Sequence, residues 1–175
     1  MSDAPSHVEL ALVARLLGRL LLRELDVDTI VALRHPALAA ALDEVGLPVP
    51  ELAAVETLAT EYFERFLHPA AGLPPVQSLW QEGRYDGDAA VAVRALAAAA
   101  ALELAPGARG AAPDHLGCIL LLWADLVEPR PELARRVLRD HLAWAVRALA
   151  PVQRAGGFYG AVAAATIGFV GTLTD

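Results

Sequence analysis

Apolar residues recur along almost the whole chain at steps of three and four, the spacing of one face of an α-helix, and no stretch alternates convincingly in the two-residue period of a strand. The first helix is expected to open at Ser6, whose hydroxyl caps free amides while Glu9, three residues on, reaches back to complete a capping box. It runs to about Leu25. Asp28 is the expected cap of a second helix, Thr29 to Val45, in which Pro36 removes a backbone donor and kinks or divides the element before Gly46 ends it. Pro48 and Pro50 lead into a third helix from Glu51 to about Leu67. Its predicted buried face is Leu52, Val55, Leu58, Ala59, Tyr62, Phe63 and Phe66.

His68 to Pro75, with three prolines and a glycine, is a loop that delivers a short segment, Val76 to Gly83, carrying Ser78 and Trp80. Asp86 and Asp88 are candidate caps for an alanine-rich helix to about Leu104. A second glycine- and proline-containing loop, Pro106 to Pro113, follows it. Asp114 is expected to cap the next helix, His115 to about Val127, which is apolar nearly all round through Ile119, Leu120, Leu121, Leu122 and Trp123, as a central element would be. Pro129 and Pro131 precede a helix to about Ala150. Its face of Ala134, Val137, Leu138, His141, Ala145, Ala148 and Leu149 opposes Arg135, Arg136, Arg139 and Arg147. A last helix spans about Val152 to Leu173. The pattern predicts an all-α protein, one domain over residues 1–175, built as a bundle of about seven to eight helices.

Length agrees, since 175 residues suit one domain and 56% apolar content supplies a core without disulfides or metals. Cys118 is the single cysteine, so no intramolecular disulfide forms, and in an apolar run its thiol reads as an inert core group. The net charge of −7 argues against nucleic acid as a partner, because a duplex binder needs a basic face. The charge is uneven: residues 1–103 carry 15 acids and 7 arginines, giving −8, whereas residues 104–175 carry 6 acids and 7 arginines, giving +1. An acidic front half attracts a basic peptide. The first ten residues lack the charged and apolar regions of a secretory leader, so a cytoplasmic protein is expected. The uncharged stretch after Arg154 is long enough to span a bilayer. It is mostly Gly, Ala and Thr around Phe158, Val162, Ile167, Phe169, Val170 and Leu173, which argues against a membrane span.

Chemistry-bearing residues are sparse. Asp114–His115 invites an acid–base reading, but adjacent helical residues point about 100° apart and no GxSxG elbow accompanies them. Asp114 as a cap and His115 as a packing residue is the plainer account. Glu64 and His68, four apart, can share a face, but two ligands make a weak metal site, and neither a metal nor another cofactor is expected. His7 and His35 read as local helix-end residues and His141 as a partly buried one bonded to a neighbour. Glu51, Glu56, Glu61 and Glu64 spread around their helix as a mostly solvated face, of which one or two can line a groove.

Four segments, taken in order, carry a resemblance: Gly72-Leu73-Pro74-Pro75-Val76-Gln77-Ser78-Leu79-Trp80, then Asp114-His115-Leu116-Gly117, then His141-Leu142-Ala143-Trp144, then Phe158-Tyr159. Over about residues 55–165 the chain resembles the TorD/DmsD/NarJ-type chaperones, and residues 1–50 resemble them as two helices. In place of the family's frequent Glu-Pro-x-Asp-His it has Ala111-Ala112-Pro113-Asp114-His115. The resemblance implies an all-helical cytoplasmic chaperone, not an enzyme, whose partner is the twin-arginine leader or the apo-form of a molybdopterin oxidoreductase held back from export until its cofactor is inserted. By the same resemblance Pro75, Ser78, Trp80, Glu82, Asp114 and His115 form the leader-binding surface, and a homodimer formed by exchanging segments at the loops 68–75 and 105–113 is open to it. A basic patch followed by an apolar stretch needs carboxylates, such as Asp114 and Glu82, beside an apolar groove, to which Trp80, Leu79 and Tyr85 can contribute. Trp80 fits equally a core anchor pinning its loop. Two rival readings stand: an Asp–His enzyme, and a helical ligand-sensing or interaction domain.

Overall fold

The computed structural model describes residues 6–104 and 110–174, with Ala37 described by its backbone alone, and every regular element in them is helical. Helix α1 (His7–Leu22) starts with the predicted capping box: Ser6 Oγ accepts from Glu9 N at 3.3 Å, and Glu9 Oε2 accepts from Ser6 N at 2.7 Å. The next predicted helix is divided into α2 (Val27–Leu33) and α3 (Pro36–Glu44). Pro36 takes the first position of α3, where its missing N–H has no partner to lose. The cap of α2 is Asp26 rather than Asp28, with Oδ1 accepting from Thr29 N at 2.7 Å.

A 3₁₀ turn at Leu52–Ala54 leads into α4 (Val55–Tyr62), which widens into a π-helical turn at Phe63–Leu67. Leu58, Tyr62 and Phe66 are buried as predicted, but Leu52 and Phe63 remain 45% and 47% exposed. Tighter winding at one end and looser winding at the other shift the phase of the apolar stripe away from a uniform 3.6-residue repeat.

The segment after the proline loop is a short helix, α5 (Gln77–Glu82). Neither Asp86 nor Asp88 caps α6 (Asp88–Ala99). Gly87 holds the cap position, Glu82 Oε1 lies 3.4 Å from Ala89 N, and Asp86 pairs with Arg94. The alanine-rich helix ends short of Leu104, and part of the predicted second loop, 105–109, lies outside the described residues.

Helix α7 (Leu116–Leu126) is the predicted central element, with Leu116, Ile119, Leu120 and Leu126 fully buried. Helix α8 (Pro131–Val137) runs into a second π turn at Leu138–Leu142, so the helix expected to reach Ala150 breaks at residues 143–144. It resumes as α9 (Ala145–Ala155), which continues through Pro151. The break expected there falls instead at Gly156 and Gly157, whose φ angles of +71° and +77° strain any other residue. Helix α10 (Gly157–Thr174) follows, its N-terminal amides Phe158 N and Tyr159 N donating to the Glu61 carboxylate at 3.2 and 2.9 Å. Glu61, expected on a solvated face, is thus a cap supplied from α4.

Helix α1 lies along α7, and the two backbones come closest where Gly18 faces Gly117. Beside this crossing, Tyr62, Phe66 and Tyr159 pack ring on ring with centroids 5.1 to 5.7 Å apart. The two tyrosine hydroxyls finish the end of α1: Tyr62 OH donates to Leu21 O at 3.1 Å, and Tyr159 OH accepts from Leu25 N at 3.2 Å.

Helix α10 has a mean hydropathy of 1.4 over 18 residues, enough by length and composition to cross a membrane. Phe158, Tyr159, Val162, Phe169 and Val170 lie in the protein's own core, and Ile167 and Leu173 pack against it partly buried. Its other face is lined with small residues, and a methyl group on Gly168 meets no neighbour within 4 Å. Gly168→Ala is therefore expected to stabilise the protein by about 0.5–1 kcal/mol, raising Tm by about 1–4 °C in a thermal melt.

Candidate functional site

Two stretches far apart in sequence are stitched together at one end of the bundle. Residues 74–78 and 112–116 run antiparallel through a bridge between Val76 and His115, with Gln77 N donating to Asp114 O at 3.0 Å and Leu116 N donating to Pro75 O at 2.8 Å. Asp114 adds a side-chain bond: Oδ2 accepts from Ser78 N at 2.7 Å. Ser78 N is one of the free amides at the start of α5, which has no side-chain cap of its own, so the carboxylate does for α5 what an N-cap side chain would.

Asp114 is therefore not the cap of α7. That position belongs to His115, whose Nδ1 accepts from Gly117 N at 3.1 Å. Asp114 and Ser78 are both 0% exposed, and Asp114 Oδ1 and Ser78 Oγ are buried without a hydrogen-bond partner. The polar layer continues inward through Gln77. Its Nε2 donates to Asp140 O at 2.9 Å and to Gln81 Oε1 at 3.1 Å, which leaves Oε1 to accept from His141 Nδ1 at 2.8 Å. His141 is bonded to a neighbour as predicted, and burial holds its pKa below the ordinary histidine value, partly opposed by Asp140.

In front of the stitched segments lies a groove of about 710 Å³, open to solvent. Tyr62, Phe66 and Leu67, from α4 and its π turn, form one wall, and Pro74 to Val76 with Gly110 to Pro113 and His115 form another. Leu22 and Arg23 close it at the end of α1, and Tyr85, Asp86 and Arg94 stand at its rim. Leu67 and Tyr85 are each 57% exposed, which leaves an aliphatic and an aromatic side chain at the mouth. Among the described residues the lining carries two arginines and one carboxylate, and that carboxylate, Asp86, is paired with Arg94.

Of the six residues singled out in the sequence, Pro75 and His115 line the groove. Ser78 and Asp114 sit behind it in the polar layer. Trp80 stands outside, 38% exposed, with Nε1 donating to Pro74 O at 2.9 Å, so that it pins the proline loop and also offers a face to solvent. Glu82 is turned toward the start of α6 and pairs with Arg84 at 2.8 Å. Sequence reading placed Tyr62 and Phe66 in the core without the second duty of lining the groove. It also passed over Gln77, Leu67 and Arg23.

Burial pushes His115 down to about 4, with the Asp114 carboxylate opposing the shift. The unfolded chain, with an ordinary histidine, binds more protons than the folded one between about pH 6.5 and 4, so stability is full above that window and falls on acidification through it. His115 as a whole keeps some solvent exposure, and the expected loss is about 1–2 kcal/mol. His115→Asn keeps an acceptor suited to the cap position and removes the titration. Chemical denaturation of the two proteins at pH 7 and pH 4.5 should show a smaller acid loss in the variant. An equal loss in both contradicts this account of His115.

Burial also raises the Cys118 thiol to about 11, in keeping with an inert core residue.

Comparison with known proteins bears on the fold and the family. No curated protein sequence matches the chain significantly. Among solved structures it is similar to a crystal structure described as that of a redox enzyme maturation protein from Archaeoglobus fulgidus, with a TM-score of 0.64 and 21% sequence identity over 97% of this chain and 96% of that one. The family model for the nitrate reductase delta subunit matches residues 24–150, a stretch that holds nearly all of the groove, the stitched segments and the polar layer. On that match the chain belongs to the nitrate reductase delta subunit family, the NarJ/TorD-type chaperone family.

Proposed function

We propose that this protein is a non-catalytic cytoplasmic chaperone that binds the twin-arginine leader, or the apo-form, of a molybdenum-cofactor oxidoreductase and assists its maturation before export. The observation that carries the reading is the groove: an aromatic and aliphatic lining, an exposed Leu67 and Tyr85 at its mouth, and a volume of about 710 Å³. That volume falls within the range of about 300–1,000 Å³ typical of ligand pockets, so it suits a turn or two of an apolar peptide rather than a folded domain. An open groove also favours a peptide over the small molecule that a ligand-sensing domain would enclose.

Asp114 and Glu82 are committed to helix N-termini, so the leader's arginines find fewer free carboxylates at the groove than the sequence suggests. Apolar burial should then outweigh charge pairing. Exposed ion pairs contribute about 0.2–1 kcal/mol each, whereas each large apolar side chain buried contributes about 1.5–3 kcal/mol. Calorimetric titration with three versions of one leader tests this. Changing both arginines to alanine is expected to weaken binding by about 2- to 30-fold, and changing two apolar residues to serine by more than about 100-fold. No binding of the unaltered leader by the folded protein would reject leader recognition.

A further inference from the structure

The π turn at Phe63–Leu67 serves two concavities. Phe66 and Leu67 line the groove, whereas Glu64, Arg65 and His68 line a second cleft of about 440 Å³, walled on its far side by Val152 and Ala155 of α9. Arg65 is half-buried there and poorly supplied with acceptors. Its Nη2 reaches Ala155 O at 3.5 Å, the outer limit of a hydrogen bond, and its Nε is buried with no acceptor. Among the described residues no carboxylate forms an ion pair with it. A buried guanidinium donor without an acceptor carries a desolvation penalty that a charged acceptor relieves most fully.

The cleft is preformed. Leu73 N donates to Arg65 O at 2.7 Å and Gly72 N to His68 O at 2.8 Å, while Ala70 N and Ala71 N both donate to His68 Nδ1 at 3.2 Å. A methyl group on Gly72 would stand 2.7 Å from the backbone of His68, so the rim closes tightly on itself. Among the described residues the lining carries one guanidinium, whose planar fork matches a carboxylate.

We propose that this cleft binds a carboxylate, with Arg65 as its cation. The carboxylate is either that of a peptide, at an acidic side chain or a chain end, or that of a small free acid. The test is an NMR titration of the full chain, following the Arg65 Nε–Hε resonance, assigned by its loss in Arg65→Gln. The probes are acetate, N-acetyl-glycyl-leucine with a free carboxyl end, and N-acetyl-leucyl-glutamic acid diamide, in which both acid groups are blocked as amides.

The Arg65 resonance is expected to move with acetate or with the free-ended dipeptide, and to stay still with the blocked peptide. A shift with the dipeptide at concentrations where acetate gives none identifies a peptide source, and equal shifts identify the carboxylate alone. Glu64→Gln, at an exposed position that the fold does not need, is expected to tighten binding about 2- to 5-fold by removing a like charge. No movement with any carboxylate up to about 50 mM, or unchanged affinity in Glu64→Gln, would overturn the proposal.

Discussion

Gly117→Val is expected to lower Tm by about 8–16 °C, the loss of about 4 kcal/mol, and Gly117→Ala by roughly three-quarters of that. A Cβ on Gly117 would stand 2.5 Å from the carbonyl oxygen of Gly18 and 2.5 Å from Leu22 Cγ. The first contact is with backbone, which cannot rotate away, so α1 and α7 must move apart along the most extensive helix–helix contact in the fold. Against this strain stands the gain of about 1 kcal/mol that alanine brings over glycine within a helix, and the strain is several times larger. Gly18→Ala meets Gly117 O at 2.9 Å and is expected to be milder. Gly168→Ala has the opposite sign, because only the helix propensity is left there. A thermal melt of the variants decides it, and a Gly117→Ala protein as stable as the parent would show that the two helices are not in backbone contact. Since His115 and Leu22 flank this crossing and line the groove, the proposed peptide binding should fall with stability.

Asp114→Ala is expected to cost about 2–3 kcal/mol, or about 4–12 °C in Tm, although the side chain is small and far from the largest core residues. The variant strips Ser78 N of its acceptor in a site closed to water, at a cost of about 1–3 kcal/mol, and removes the external cap of α5. The loss is less than that of a fully paired buried carboxylate, because Oδ1 already lies buried without a partner. Asp114→Asn keeps an acceptor in place and should stay within about 1 kcal/mol of the parent. The pair separates two roles. If Asp114 acts by holding α5 and the proline loop in place, Asn preserves peptide affinity and Ala weakens it together with stability. If the carboxylate itself holds a leader arginine, Asn abolishes the dependence on that arginine while stability is kept.

The helical architecture is written in the chain because its signals are local. Ser6 and Glu9, the step of the apolar residues and Pro36 act within one or two turns, and the structure follows them except at Leu52 and Phe63, where a 3₁₀ and a π turn shift the phase. The readings that moved, the cap of α2 from Asp28 to Asp26 and the break from Pro151 to Gly156–Gly157, involve neighbours competing for the same job within a few residues. The caps of α5, α6 and α10 come instead from Asp114, Glu82 and Glu61, on other elements, and no local pattern signals a carboxylate that reaches across the fold. The site divides in the same way. The motif residues Pro75 and His115 line the groove, but Gln77 meets His141 across 64 positions of sequence, and Tyr62 and Phe66 carry the periodicity of core residues whether or not a groove opens beside them.

The central claim is that the groove beside His115 receives the apolar part of a leader peptide, and photo-crosslinking tests it directly. A twin-arginine leader carrying a benzophenone side chain in its apolar stretch would be irradiated with the full chain, and the attachment sites read by mass spectrometry. Adducts are expected on Leu67, on Tyr85 and within residues 110–115, suppressed by excess unlabelled leader. Adducts confined to the outer face of α10 or to α1 and α2, with none on the groove, would contradict it.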